Sequence, residues 1–190
     1  MAKKILALDI GNVCLRLRPE RCFGRFGYKA ITEVPPELLM VFQQLETGRI
    51  DEPAFFGEIR RILNLKIDDA ALRDLWCAIL GEPMPGMAAL VRDLVAAEIQ
   101  PVFLSDISTL HLDYFRRNYP VTEWVPDGIY SFVVGACKPS PAMYAAFEAD
   151  FGKPMLYVDD RPACLEGAAP FGWPTHLFKD AETLRAALKV

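Results

Sequence analysis

The chain has 190 residues, 52% hydrophobic and 24% charged, a balance that provides for a sizeable core and excludes wholesale disorder. Its formal net charge is −4 with Lys and Arg scattered throughout, so the basic excess or stripe of a nucleic-acid binder is missing. The length suits one core domain with a smaller insert rather than two large independent domains.

Lys3 and Lys4 precede an apolar run, Ile5 to Leu8, which Asp9 halts well short of the roughly 7–15 residues of a secretion-signal core. No stretch approaches the roughly 18 apolar residues of a membrane span. The expectation is a cytoplasmic protein with no membrane partner. The run itself reads as a buried strand ending at the polar loop Asp9-Ile10-Gly11-Asn12. From residue 16 to 85 the pattern changes. Helix-like stretches fill 36–46, 52–63 and 69–79 with no evident strand, so an all-helical insert is expected there. Residues 81–86, rich in Gly and Pro, read as the return linker.

Beyond the linker, apolar positions 87, 90, 91, 94 and 95 share one helix face. A strand over 101–104 then ends at Ser105-Asp106, and another is expected over 130–134. Ser140 and Pro141 read as an N-cap and first helical position. A strand over 155–158 ends at Asp159-Asp160, a helix spans 163–169, a strand 175–178 and a helix 181–188. Strands alternating with helices imply an α/β fold, a Rossmann-like three-layer core around a parallel sheet. This core is expected over 1–15 and 86–190, with the helical cap at 16–85. Ligands of such sheets lie beyond the carboxyl ends of the strands, so the polar strand ends would converge on one crevice.

That crevice would gather Asp9, Asp159 and Asp160. Three carboxylates packed without a cation repel one another. A hard divalent cation resolves this, and magnesium prefers oxygen ligands, usually one or two carboxylates plus substrate phosphate. The Ser105 hydroxyl and the Lys138 ammonium add two groups suited to phosphate oxygens. The five cysteines, Cys14, Cys22, Cys77, Cys137 and Cys164, are odd in number and form no CxxC pair. They read as reduced, mostly buried thiols. His111 and His176 stand apart from these strand ends and read as structural. The cap aromatics read as its small core.

Four motifs stand in order: hhhhD-x-G-N-V at 5–13, hhhhS at 101–105, K-P-x-P at 138–141 and hhhhDD at 155–160. Together they resemble the motifs of the haloacid dehalogenase (HAD) superfamily, and the insert resembles the helical cap of its subclass I. The segments Leu45-Glu-Thr-Gly-Arg-Ile50 and Leu80-Gly-Glu-Pro-Met-Pro-Gly86 resemble a branch that includes sugar-phosphate phosphatases. The resemblance implies a magnesium-dependent phosphatase acting on a small phosphate ester, a sugar phosphate among them, as a monomer or homodimer. Asp9 would be the nucleophile and form an aspartyl-phosphate. Magnesium would be held by Asp9, the Gly11 carbonyl and Asp160, with Asp159 either ligating or behind them. Ser105 would donate to phosphate, Lys138 would bridge phosphate and Asp9, and Asp106, Gly11 and Asn12 would line the phosphate site.

Three positions depart from that pattern. Gly11 stands where family phosphatases carry a general-acid Asp, whose loss typically lowers the rate about 10²–10⁴-fold. Glu46, Asp51 and Asp113 are the acidic residues that could replace it. Asp106 stands in place of an Asn, and Cys164 in place of an Asn or Asp. Two other readings therefore accompany the first: an impaired relative that binds a phospho-ligand or partner, and a dehalogenase-type hydrolase using the same nucleophile. Arg16 and Arg18 at the cap entry read as a solvated hinge, with contact to a second anionic group as the alternative.

Overall fold

A computed structural model describes residues 4–190. In chain order, β1 (Lys4–Leu8) and β2 (Leu15–Leu17) lead into α1 (Pro19–Phe23), α2 (Pro36–Glu46), α3 (Glu52–Leu63) and α4 (Asp69–Cys77), and β3 (Leu80–Pro83) returns the chain. Then come α5 (Met87–Ala96), β4 (Ile99–Ser105), α6 (Thr109–Asn118), β5 (Gly128–Tyr130), α7 (Ser131–Val134), α8 (Pro141–Phe151), β6 (Leu156–Asp159), α9 (Pro162–Gly167), β7 (Thr175–Leu177) and α10 (Ala181–Leu188).

The main sheet runs β5-β4-β1-β6-β7 with every pairing parallel, so β1 is its centre. Side chains alternate between the two faces of a strand. Leu6 and Leu8 therefore join Leu90, Leu94 and Phe115 in one core layer, while Ile5 and Ala7 join Tyr144, Phe147 and Trp173 in the other. Helices cover both faces, which is why the β1 run is apolar throughout rather than alternating. The fold is the expected three-layer α/β core. Among the described residues, no helix is long and apolar enough to cross a membrane.

The insert has a third core of its own, where Phe42, Phe55 and Trp76 pack with centroids 4.6–6.1 Å apart. Asp51 and Asp68 cap α3 and α4 by accepting from Ala54 N (2.9 Å) and Ala71 N (2.8 Å). The insert is not all-helical. β2 and β3 pair antiparallel where the chain leaves and re-enters the core, and Arg18 N donates to Ile79 O at 2.7 Å. Two segments running side by side pair their backbone groups. The stretch expected as a plain linker is therefore half strand.

Two further expectations need correcting. The apolar stretch 130–134 is not one strand: β5 ends at Tyr130 and α7 begins at Ser131. The buried Ser131 hydroxyl makes the corner, accepting from Ile107 N (2.9 Å) and donating to Glu46 O (2.6 Å). Ser140 does precede α8, with Pro141 in the first turn, but its side chain makes no cap hydrogen bond.

The same corner seats the cap. Gly48, just beyond α2, has φ +66°, and a Cβ there would lie 2.3 Å from the Phe132 carbonyl oxygen. Gly48→Ala should therefore lower stability by about 1–3 kcal/mol through left-handed strain and the clash. Urea unfolding checks this, and an unchanged midpoint would contradict the close approach.

Candidate active site

The carboxyl ends of β1, β4 and β6 place the site. Asp9 directly follows β1, and its N–H donates to Val158 O (3.0 Å), so β1 and β6 stay zipped up to the carboxylates. Asp9, Ser105, Lys138 and Asp159 are all buried. Lys138 lies between the two aspartates: its Nζ stands 2.8 Å from Asp9 Oδ1 and 2.7 Å from Asp159 Oδ2, and donates to Leu104 O at 2.9 Å. An ammonium has three N–H groups, and all three are engaged. The resemblance places Lys138 between Asp9 and phosphate; in the structure it joins Asp9 to Asp159, and a phosphate contact would have to displace one of these bonds.

Asp159 is saturated from behind. Its Oδ2 also accepts from the Tyr157 hydroxyl at 2.5 Å, and its Oδ1 from Arg161 N at 2.9 Å. Asp160 is half-buried and accepts one bond, from Asn12 Nδ2 at 3.1 Å. Asn12 has φ +52° and its Oδ1 accepts from Leu17 N at 3.1 Å, so it ties the β1 loop to Asp160 and β2. Oxygens of Asp9, Asp159 and Asp160 lie within 4.8 Å of one another.

Three carboxylates face one fully buried ammonium here, an excess of two negative charges. The acidities record it. Burial pushes Asp9 up to about 6; Lys138 offsets part of this and the Asp159 charge adds to it. Burial also raises Asp160, opposed by the Asn12 hydrogen bond and reinforced by Asp159. For Asp159 burial again opposes the charge, but Lys138, the Tyr157 hydroxyl and the Arg161 amide hold it below the ordinary range. Oxygen donors, an excess charge of −2 and carboxyls unwilling to ionise together suit a hard divalent cation.

The remaining expected residues divide by role. Ser105 and Gly11 line a cavity of about 360 Å³ between core and cap, together with Asp106, Phe42, Glu46 and Trp76. Its wall is mostly apolar, and among the described residues no Lys or Arg belongs to it. A Cβ on Gly11 would stand 3.0 Å from Leu17 Cδ1, so Leu17 fills the space a residue-11 side chain would need. Asp106 is occupied: Oδ1 accepts from Lys138 N and Oδ2 from Arg161 Nη2, both at 2.8 Å. Cys164 is buried in the aromatic core layer. Arg18 pairs with Glu82 at 3.0 Å and Arg16 is exposed, which leaves the cavity without a second cationic subsite.

Of the acidic residues weighed for the Gly11 vacancy, only Glu46 reaches the cavity; Asp51 caps α3 and Asp113 is exposed on α6. Burial, then the Asp106 charge, pushes Glu46 up to about 7. His111 also lines the cavity, although the sequence set it apart. Its Nε2 lies 3.1 Å from Trp76 O, its ring stacks on Trp76 at 8°, and burial lowers it to about 4. Arg161 and Tyr157 were not anticipated. Their only signal was position, one residue after and two before the Asp159-Asp160 pair.

No protein-family model matches the chain. Solved structures do. A HAD family enzyme from Bacteroides thetaiotaomicron, in complex with magnesium and inorganic phosphate, is 22% identical at TM-score 0.81, covering 93% of this chain and 94% of that one. A predicted HAD-like family hydrolase from Porphyromonas gingivalis is 22% identical at TM-score 0.82, covering 100% and 97%. L-2-haloacid dehalogenase from Xanthobacter autotrophicus, with chloropropionic acid covalently bound, is 20% identical at TM-score 0.63, covering 92% and 76%. The chain therefore has the HAD-like fold.

The strain on Asp9 gives a direct test. Its folded carboxyl titrates near 6 against an ordinary 3.8, so ionising it opposes folding fully above pH 6 and not at all below about pH 4. Asp9→Asn in chelator should raise stability at pH 7 by about 1–3 kcal/mol, with the gain vanishing toward pH 4. Thermal melts across this range check it; a loss of stability at pH 7 would contradict the charge excess.

Proposed function

We propose that this protein is a magnesium-dependent phosphatase of the HAD superfamily acting on small phosphate monoesters. The carrying observation is the cluster of Asp9, Asp159 and Asp160 around Lys138 at one sheet edge. The magnesium and phosphate bound by the Bacteroides enzyme support the same reading. Asp9 and Asp160, with the Gly11 carbonyl, would hold the ion, while Asp159 stands behind them and fixes Lys138. Magnesium supplies neutralisation of charge shared by Asp9 and the phosphoryl oxygens.

Lys138 keeps Asp9 aligned and lowers the repulsion an approaching phosphate meets. An Asp9 oxygen attacks phosphorus as the ester P–O bond breaks, and the alcohol departs toward the cap. Water then attacks the aspartyl-phosphate, releasing inorganic phosphate and restoring Asp9. Ser105, at the end of β4, donates to a phosphate oxygen. Arg161, held over the site by Asp106, adds positive charge at the mouth. Asp106 thereby acts through Arg161 and the Lys138 loop rather than on phosphate, and Asn12 acts through Asp160.

The cavity narrows the substrate. The resemblance points to sugar phosphates, but a polyhydroxy group against this apolar wall would strand hydroxyls, at about 1–3 kcal/mol each. A compact, uncharged, largely apolar alcohol fits better. A haloacid would bring a carboxylate to a wall without Lys or Arg, so the dehalogenase reading has no support there. The impaired reading is not favoured either, since none of the three departures removes a ligand.

With magnesium, the protein should release phosphate from phenyl phosphate, and EDTA or Asp9→Asn should abolish this by at least about a thousandfold. Hexose phosphates should be slower in kcat/KM by about tenfold or more. A malachite-green assay decides both. Turnover that survives EDTA and Asp9→Asn would overturn the reading.

A further inference from the structure

When phosphorus passes to Asp9, the departing oxygen leaves as an alkoxide unless something protonates it. Gly11 has no side chain to do so, and Leu17 closes the space beside it. The donor must come from another wall of the cavity. His111 lines that wall, but burial keeps the imidazole neutral against the opposing pull of the Trp76 carbonyl, so it has no proton to give near pH 7. Asp106 is committed to the Lys138 amide and the Arg161 guanidinium.

Glu46 is the acidic side chain that the cap contributes to this wall. It is the last residue of α2, and two contacts pin that helix end to the core: Ser131 Oγ donates to its carbonyl at 2.6 Å, and the Gly48 turn lies against Phe132. The backbone that carries this carboxyl is thus fixed against the core rather than set on a mobile loop. Resting on the phosphatase reading, we propose that Glu46 is the general acid and base that Gly11 cannot be. It gives its proton to the ester oxygen as the P–O bond breaks. The resulting carboxylate then takes a proton from the water that attacks the aspartyl-phosphate. One proton leaves and one returns in each cycle.

The surroundings suit that duty. Burial and the Asp106 charge, partly offset by Arg161, keep Glu46 protonated up to about pH 7. The half-buried Cys137 thiol, itself raised to about 11, faces the same group and stays neutral. Glu46 therefore exchanges its proton around neutral pH, where both its acid and its base form are present.

The test is Glu46→Gln assayed on two esters, benzyl phosphate, whose alkoxide needs protonation, and p-nitrophenyl phosphate, whose phenolate does not. Kcat on benzyl phosphate should fall about 10²–10⁴-fold and on p-nitrophenyl phosphate by less, widening the ratio between them at least about tenfold. The wild-type loss of rate on benzyl phosphate above about pH 7 should disappear in the variant. Because a ratio is read, partial misfolding cannot mimic the effect. An equal loss on both esters, or none on benzyl phosphate, overturns the role of Glu46 while leaving the phosphatase standing. Wild-type protein inert toward both esters overturns the phosphatase reading and this role with it.

Discussion

A single ammonium, that of Lys138, lies buried between two carboxylates that arrive on different strands. It joins Asp9 at the end of β1 to Asp159 at the end of β6, and its third proton goes to the carbonyl of Leu104 on β4. Three strand ends thus meet at one nitrogen. Removing the ammonium would leave both carboxylates buried and uncompensated, which typically costs about 3–5 kcal/mol. The sheet order is what permits the meeting, since β1 is flanked by β4 and β6 and all three point the same way. Yet one positive charge does not balance the cluster once Asp160 is added. The same packing that fixes Asp9 leaves room, electrostatically, for a doubly charged ion.

The departures from the family pattern are accommodated locally. Asp106 would be unwelcome beside a phosphate if free, but its charge is paired with Arg161, and its other oxygen holds the Lys138 loop. Cys164 has become part of the aromatic layer around Tyr144 and Trp173, where a polar side chain would be stranded. Gly11 leaves a gap that Leu17 fills from β2, making that wall apolar. In the proposed reaction the proton chemistry passes to the cap, where the backbone at Glu46 is fixed by contacts to α7.

Much of this could be read from residue order. The apolar runs ending in Asp9, Ser105 and Asp159 were legible because a strand buried on both faces must be apolar throughout, and its first polar residue marks the exit. The cap helices were legible from periodicity, with the bounds of α2 and α3 as expected. Elements of three or four residues were not. β2 and β3 are too short to show alternation, and their pairing joins residues some 65 positions apart. The turn from β5 into α7 was hidden because an apolar run looks alike in either state; what breaks it is a hydrogen bond from Ser131 to the distant Glu46. Likewise no local pattern tells that Glu46 faces the cavity while Asp51 is spent as a cap, or that Arg161 and Asp106 find each other. These are facts of tertiary packing.

The central claim is that Asp9 and Asp160 share one divalent cation whose charge the cluster lacks. Calorimetric titration of magnesium into the protein and into Asp160→Asn addresses it most directly. One ion per chain is expected, with affinity reduced at least about tenfold in the variant. No binding at millimolar magnesium, or equal affinity in both proteins, would contradict the account.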